Sequence, residues 1–184
     1  NSFIMRIHKH LATVLLALPM IGMAQQVSET KQGLRVDPAG DKPTTEVMVY
    51  APNIIRVTKY ADGLEALPDK KSYSVIMTPE KGKGLWRVEG TTLSTACLAV
   101  TVDAATGEVR FADTNGNALL AEKGEAEVTS ITAGVDKGKY SIRQDFQLGT
   151  NEAIYGLGQR RSPKLNQRGE KVEIWNHNAN ITIP

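Results

Sequence analysis

Residues 93–111, LSTACLAVTVDAATGEVRF, contain the pattern that decides the fold. Apolar residues occupy every second position on both sides of a Thr106-Gly107 turn: Leu98, Val100 and Val102 before it, Val109 and Phe111 after it. A period of two places such residues on one face of an extended strand. The stretch therefore predicts a β-hairpin with one apolar face.

The remainder of the chain after residue 24 repeats this pattern in short runs. No segment there has a sustained helical period, and the Asn115-Gly116 pair is a strong hairpin signal. The further predicted strands cover residues 45–50, 54–60, 72–77, 140–148 and 172–175. Short alternating strands with frequent turns indicate an all-β sandwich or barrel.

The N-terminus has the pattern of an export signal. Met5 is followed by the basic residues Arg6 and Lys9, then by an apolar run over residues 11–23 that ends at the small residue Ala24. The run is shorter than the ~20 apolar residues of a membrane-spanning helix. We expect residues 1–24 to be a signal peptide, with residues 1–4 upstream of the start methionine. The protein is then periplasmic or extracellular.

Residues 25–184 then form one β-sandwich domain. The chain stops directly after the strand-like residues 181–183, so we expect the domain to be incomplete at its C-terminal end. The 184 residues are too few for a (β/α)8 barrel, which needs about 250.

Charge and cysteine content exclude several kinds of chemistry. Cleavage after Ala24 removes two of the 22 basic residues and leaves 20 against 20 acidic ones, so we expect no nucleic-acid partner. His177 becomes the only histidine, and Cys97 is the only cysteine. We therefore expect no intrachain disulfide, no metal site and no cofactor. Cys97 lies in an apolar, strand-like run, which predicts a buried, inert thiol.

The glycines of Tyr155-Gly156-Leu157-Gly158 indicate a tight turn. A dinucleotide-binding loop is excluded because Arg161 stands where the third glycine belongs and no helical pattern follows. Basic residues continue from Arg160 to Lys171, but Glu170 interrupts them, which favours a solvated loop.

Trp175-Asn176-His177-Asn178 joins an aromatic face to three hydrogen-bonding side chains. Such sets bind sugars, since C–H faces stack on the indole and polar side chains pair with hydroxyls. A strand end with a half-buried tryptophan and a polar loop has the same composition. The residues alone leave both interpretations open.

The chain resembles a known family over about residues 30–184. Residues 152–184, EAIYGLGQRRSPKLNQRGEKVEIWNHNANITIP, are similar to the end of the N-terminal, galactose-mutarotase-like β-sandwich of glycoside hydrolase family 31. That family includes α-glucosidases, α-xylosidases and related transglycosylases. The matching parts are Tyr155-Gly156-Leu157-Gly158, Arg168-Gly169, Trp175-Asn176 and Ile183-Pro184, with upstream similarity at residues 54–57, 98–103, 106–107 and 115–116.

The resemblance implies a non-catalytic domain, because a downstream (β/α)8 barrel carries both catalytic carboxylates of this retaining family. The two carboxyl groups of a retaining enzyme lie about 5–5.5 Å apart. No catalytic residue is then expected in this chain, which alone should be inactive and should expose an apolar face to the barrel.

The same resemblance implies that Trp175, Asn176, His177 and Asn178 lie at the rim of the barrel pocket, where they contact an α-linked oligosaccharide. Several family members have an Arg-Asp pair at the positions of His177 and Asn178, so this chain offers only neutral groups there. Its loop looks more like the α-xylosidase branch than the maltase branch. By the same comparison, Gln159 and Arg168 have structural roles.

Two other functions are compatible with the sequence. The chain would be a free-standing carbohydrate-binding or surface-interaction module if a stop codon followed residue 184. A mutarotase or epimerase would need a histidine acid and a carboxylate base, for which only His177 is available.

Overall fold

The first strands in the described part of the chain form a four-stranded sheet. The computed structural model describes residues 25–60, 74–79, 84–160, 163–174 and 182–183. The strands are β1 (Gln26–Glu29), β2 (Gly33–Asp37), β3 (Thr44–Ala51) and β4 (Ile54–Tyr60), in the order β1-β2-β3-β4. All pairings are antiparallel, and the alternation of β3 places Val47 and Val49 in the core and Glu46 on the outer face.

The five-stranded sheet contains the hairpin predicted from residues 93–111. Its strands are β5 (Trp86–Glu89), β6 (Thr92–Thr95), β7 (Leu98–Val102), β8 (Val109–Asp113) and β9 (Ala118–Ala121), each antiparallel to the next. The turn after β8 is the predicted Asn115-Gly116, where Gly116 has φ +84°. The Asp113 carboxylate accepts the backbone N–H groups of Asn115 and Asn117, both at 2.8 Å, which holds the turn.

The core lies between these two sheets. Its fully buried members come from both layers: Leu34, Val36, Val47, Val49, Leu93, Val100, Val102 and Val109. Two side-chain bonds join the layers at their ends, from Thr45 Oγ1 to the Gly107 carbonyl (3.2 Å) and from Thr95 Oγ1 to the Pro52 carbonyl (2.6 Å). Two packed antiparallel sheets confirm the predicted all-β sandwich.

Two short ribbons follow. β10 (Glu127–Ser130) pairs with β11 (Tyr140–Arg143), and β12 (Gln159–Arg160) pairs with β13 (Thr182–Ile183). The described part of the chain contains no helix long and apolar enough to cross a membrane.

Some predictions were wrong. Residues 74–77 of the predicted strand 72–77 form no strand, and Val75 and Ile76 are exposed, because an apolar run becomes a strand only where a partner completes its hydrogen-bond ladder. Residues 172–174 are likewise not a strand. Residues 72, 73 and 175, like the predicted signal peptide over residues 1–24, lie outside the described residues.

Cys97 is exposed, which corrects the prediction of a buried thiol. It lies in the turn between β6 and β7 rather than within a strand. The Thr95 hydroxyl accepts the backbone N–H groups of Cys97 (3.2 Å) and Leu98 (2.9 Å), and this local bonding replaces the strand ladder.

Candidate functional site

The predicted substrate-binding residues lie between two paired strands. In the β12·β13 ribbon, Gln159 is opposite Ile183 and Arg160 is opposite Thr182, so the two ends of the connecting segment are held side by side. Trp175, Asn176, His177 and Asn178 belong to that connection. All four lie outside the described residues, so the structure describes the base of the candidate site and its supporting loop.

The turn that leads into β12 is left-handed at three successive residues. Gly156, Leu157 and Gly158 have φ of +91°, +63° and +83°. Glycine adopts this region without steric cost, whereas a residue with a Cβ atom loses about 1–2 kcal/mol. The glycine pair correctly predicted a tight turn, but nothing in the sequence indicated that Leu157 would share its conformation.

Arg168 holds the segment that comes just before this turn. Its Nη1 donates to the carbonyl oxygens of Gly149 and Glu152, both at 2.6 Å. The Glu152 carboxylate in turn accepts the Gly149 N–H at 2.9 Å. Hydrogen bonds from a charged donor are stronger than neutral ones, so Arg168 has the kind of structural role that the family resemblance implied.

Asn166 and Gln167 complete the loop, and neither was predicted from the sequence. The Asn166 side-chain oxygen accepts the N–H groups of Ile154 (3.1 Å) and Arg168 (3.0 Å), and the Gln167 N–H donates to the Ile154 carbonyl (2.7 Å). Gln167 is buried. The available signal was an asparagine two residues before Arg168 and three before a turn glycine, a spacing typical of Asx turns.

The basic residues of this region are paired where the structure describes their side chains. Lys164 forms an ion pair with Glu170, and Lys171 Nζ lies 2.9 Å from the Glu173 carboxylate. Arg168 donates to backbone carbonyls, so all three of these cationic side chains bind partners within the loop. Within the described residues, the loop is thus cross-linked by ion pairs and by hydrogen bonds to its backbone.

Comparisons with known proteins agree with this architecture. The family described as the glycosyl hydrolase 31 N-terminal galactose mutarotase-like domain matches residues 44–181. An α-xylosidase of Saccharolobus solfataricus is 28% identical over 153 residues, which cover 76% of this chain and 20% of that protein. The crystal structure of the family 31 α-xylosidase of Xanthomonas citri superposes with a TM-score of 0.67 at 29% identity, over 85% of this chain and 17% of that one.

The described residues thus form an antiparallel β-sandwich of the galactose-mutarotase-like class. The chain belongs to the family of glycosyl hydrolase 31 N-terminal domains, as its sequence resemblance implied. It spans about a fifth of the length of the two relatives named above.

Proposed function

We propose that residues 25–184 are the N-terminal domain of an exported, retaining α-glycosidase of the α-xylosidase type, in which a (β/α)8 barrel follows and supplies both catalytic carboxylates. The observation that carries the proposal is the family match over residues 44–181, together with two α-xylosidase relatives of which this chain spans about a fifth. The domain then acts by packing on the barrel and shaping its substrate pocket.

The pocket contribution is assigned to Trp175, Asn176, His177 and Asn178. Their segment begins at β12 and ends at β13, and Arg168 within it is bonded to the carbonyls of Gly149 and Glu152. An indole face and neutral amide and imidazole groups suit the C–H faces and hydroxyls of an α-linked oligosaccharide. Bonds that anchor the flanking residues limit the ordering cost when such a segment binds sugar.

Export is proposed from residues 1–24, whose basic start, apolar run and small terminal residue fit a signal peptide. Expression in a bacterium followed by N-terminal sequencing of the secreted or periplasmic protein tests this. We expect the mature chain to begin at Gln25. A cytoplasmic protein that retains Met5 at its start would contradict export.

The enzymatic proposal is tested on the open reading frame that contains residues 1–184. We expect the full-length protein to hydrolyse 4-nitrophenyl α-D-xyloside, or the α-D-glucoside, with retention of anomeric configuration, and residues 25–184 alone to show no turnover. Replacing His177 and Asn178 with alanine should raise KM for an oligosaccharide several-fold, whereas Lys137→Ala, in the exposed loop before β11, should not. A stop codon after residue 184, with oligosaccharide binding by the chain itself, would favour a free-standing carbohydrate-binding module.

A further inference from the structure

A two-stranded arm, residues 123–145, extends from the edge of the five-stranded sheet. At its root Glu122 pairs with Phe146, and the Gln147 N–H donates to the Ala121 carbonyl at the end of β9 (2.8 Å). Beyond the root, β10 and β11 form a separate sheet of two strands. A hairpin of two strands is marginally stable by itself and becomes firm only when one of its faces is packed.

One face of the arm is apolar. Val128 is opposite Ile142 and Ser130 is opposite Tyr140, so these four side chains lie on the same face. Ile142 is 73% exposed and Tyr140 is 46% exposed, while Val128 is half-buried. The apolar face of the arm, formed by Val128, Tyr140 and Ile142, is therefore largely accessible to solvent.

The opposite face of the arm is polar, and its charges are paired. Glu127 is opposite Arg143 there, and Thr129 is opposite Ser141. The Arg143 guanidinium lies 3.7 Å from the Glu127 carboxylate and 2.6 Å from that of Asp145. Water solvates such groups well, whereas exposed apolar side chains gain free energy when another surface covers them. The apolar face is thus the one suited to contact another protein surface.

The apolar face is too small to hold two separate molecules together. Large side chains have about 150–250 Å² of surface each, so three partly exposed ones leave roughly 300 Å² open. A stable complex between independent proteins buries about 800 Å² on each partner. A domain on the same polypeptide needs less, because the covalent connection gives it a high effective concentration. The size of the face therefore favours a connected domain over a second copy.

The root of the arm lies close to the segment between β12 and β13. Arg168, within that segment, donates to the Gly149 carbonyl. Gly149 follows Phe146 by three residues, which span at most about 11 Å. Under the proposed function, the segment between β12 and β13 contacts the barrel pocket, so a barrel that reaches it is also near the arm.

We propose that the apolar face of the arm docks on an apolar patch of the domain that follows residue 184, which is the (β/α)8 barrel of the proposed function. The inference rests on that function, and this chain spans about a fifth of each relative, which leaves room for such a domain in them. Tyr140 and Ile142 are then buried between the two domains, and the charged face with Arg143 stays in water.

Photo-cross-linking in the full-length protein tests what covers the apolar face. Ile142 is replaced by p-benzoylphenylalanine, which links on irradiation to groups in contact with it, and Ser141, on the opposite face, is replaced in the same way as the matched control. Position 142 should link to peptides after residue 184 of the same chain, and position 141 should not. Links from position 142 to a second copy, to residues before 184 outside the arm, or to nothing outside the arm would overturn the docking.

Hydrogen exchange in the full-length protein gives a second readout. Ile142→Lys places a charge in the contact, so the amides of β10 and β11 should exchange about tenfold faster than in the parent. Ser141→Lys, on the solvated face, should leave these amides unchanged. Equal exchange of the arm in I142K and S141K would also overturn the docking.

The docking and the proposed function fail separately. α-Glycosidase activity in a protein whose position 142 does not link beyond residue 184 would leave the proposed function standing and refute the docking. Such links in a protein without glycosidase activity would support the docking and refute the enzymatic proposal.

Discussion

The Lys59 ammonium lies 2.6 Å from Oε2 of Glu122. This contact joins β4 of the four-stranded sheet to the residue that follows β9 of the five-stranded sheet. The same Glu122 oxygen accepts the backbone N–H of Val109 at 2.7 Å, while Lys59 also donates to the Gln144 side chain at 3.1 Å. Glu122 is only 6% exposed. A buried carboxylate therefore holds a β8 amide on one side and a β4 cation on the other.

Lys59→Met should destabilise the domain by about 3 kcal/mol, because it leaves the Glu122 carboxylate buried without its counter-ion. The double variant Lys59→Met with Glu122→Gln should be more stable than K59M alone, since glutamine keeps an acceptor for Val109 and removes the uncompensated charge. Urea unfolding of the two variants and the parent measures both differences. A K59M variant as stable as the parent would show that the pair contributes no stability.

Gly33 leaves no room for a side chain between the neighbouring strand β3 of its own sheet and the Leu93 side chain of the facing sheet. Its φ is +155°, and a Cβ atom built there would lie 2.0 Å from the Val47 carbonyl oxygen and 3.2 Å from Leu93 Cδ1. Gly33→Ala should therefore cost about 3 kcal/mol or more in the free energy of unfolding, or prevent folding. Gly116→Ala is the control, because Gly116 also has a positive φ but no atom within 4 Å of the added Cβ, and it should cost only about 1 kcal/mol. Equal losses in the two variants would contradict the close contact.

The paired strands were the part of the fold that sequence reasoning predicted well. The alternation of Val100, Val102 and Val109 is a local signal that also reports burial, and the Asn115-Gly116 turn needs only local backbone geometry. Residues 74–77 show the limit, since alternation alone does not reveal whether a pairing partner is within reach. Cys97 shows another limit. Its apolar neighbours favour a continuous strand, but the Thr95 hydroxyl accepts the Cys97 N–H and the strand β6 ends there.

The supporting loop of the candidate site was predicted only in outline. The tight turn at Gly156 and Gly158 follows from glycine chemistry, but the bonds of Arg168 go to the carbonyls of Glu152 and Gly149, which lie 16 and 19 positions earlier in the chain. Such medium-range contacts depend on the final path of the chain. The roles of Trp175 to Asn178 stay a prediction, since these residues lie outside the described ones.

The Arg35–Asp37 pair on the outer face of β2 gives a pH dependence of stability. The hydrogen bond from Arg35 lowers the pKa of Asp37 below its ordinary value, with a further contribution from the Thr44 hydroxyl. The carboxylate therefore binds protons less readily in the folded chain, and its stabilising effect is complete above about pH 4 and is lost as the pH falls through the lowered pKa.

The stability difference between the parent and Asp37→Asn should accordingly be constant near neutral pH and shrink below about pH 4. Arg35→Met removes the main cause of the lowered pKa of Asp37, so its folded and unfolded values come closer and the loss of stability below about pH 4 should be smaller than in the parent. Urea midpoints measured between pH 2.5 and 7 check both expectations. A difference between the parent and D37N that stays the same at pH 3 and pH 6 would contradict the role of Asp37.

The exposed Cys97 thiol should react with a thiol reagent in the folded protein. Ellman's reagent should label it without denaturant, and Cys97→Ser should abolish labelling while changing the free energy of unfolding by less than about 0.5 kcal/mol. The small change is expected because the bond that Thr95 accepts comes from the backbone N–H at position 97, which serine keeps. Labelling that required denaturant would restore the idea of a buried thiol.

Arg168→Ala should loosen the loop over residues 149–170 without unfolding the sandwich. Losing both 2.6 Å bonds removes the link to the Gly149 and Glu152 carbonyls, so the Gln167 amide, which donates to Ile154 in the same loop, should exchange with solvent about tenfold faster. Lys171→Ala is the control, because its pair with Glu173 is exposed and should contribute little. Hydrogen exchange followed by mass spectrometry separates this local effect from a global one, since β3 and β7 should keep their protection in both variants. If R168A and K171A exchange alike over the loop, Arg168 does not hold it.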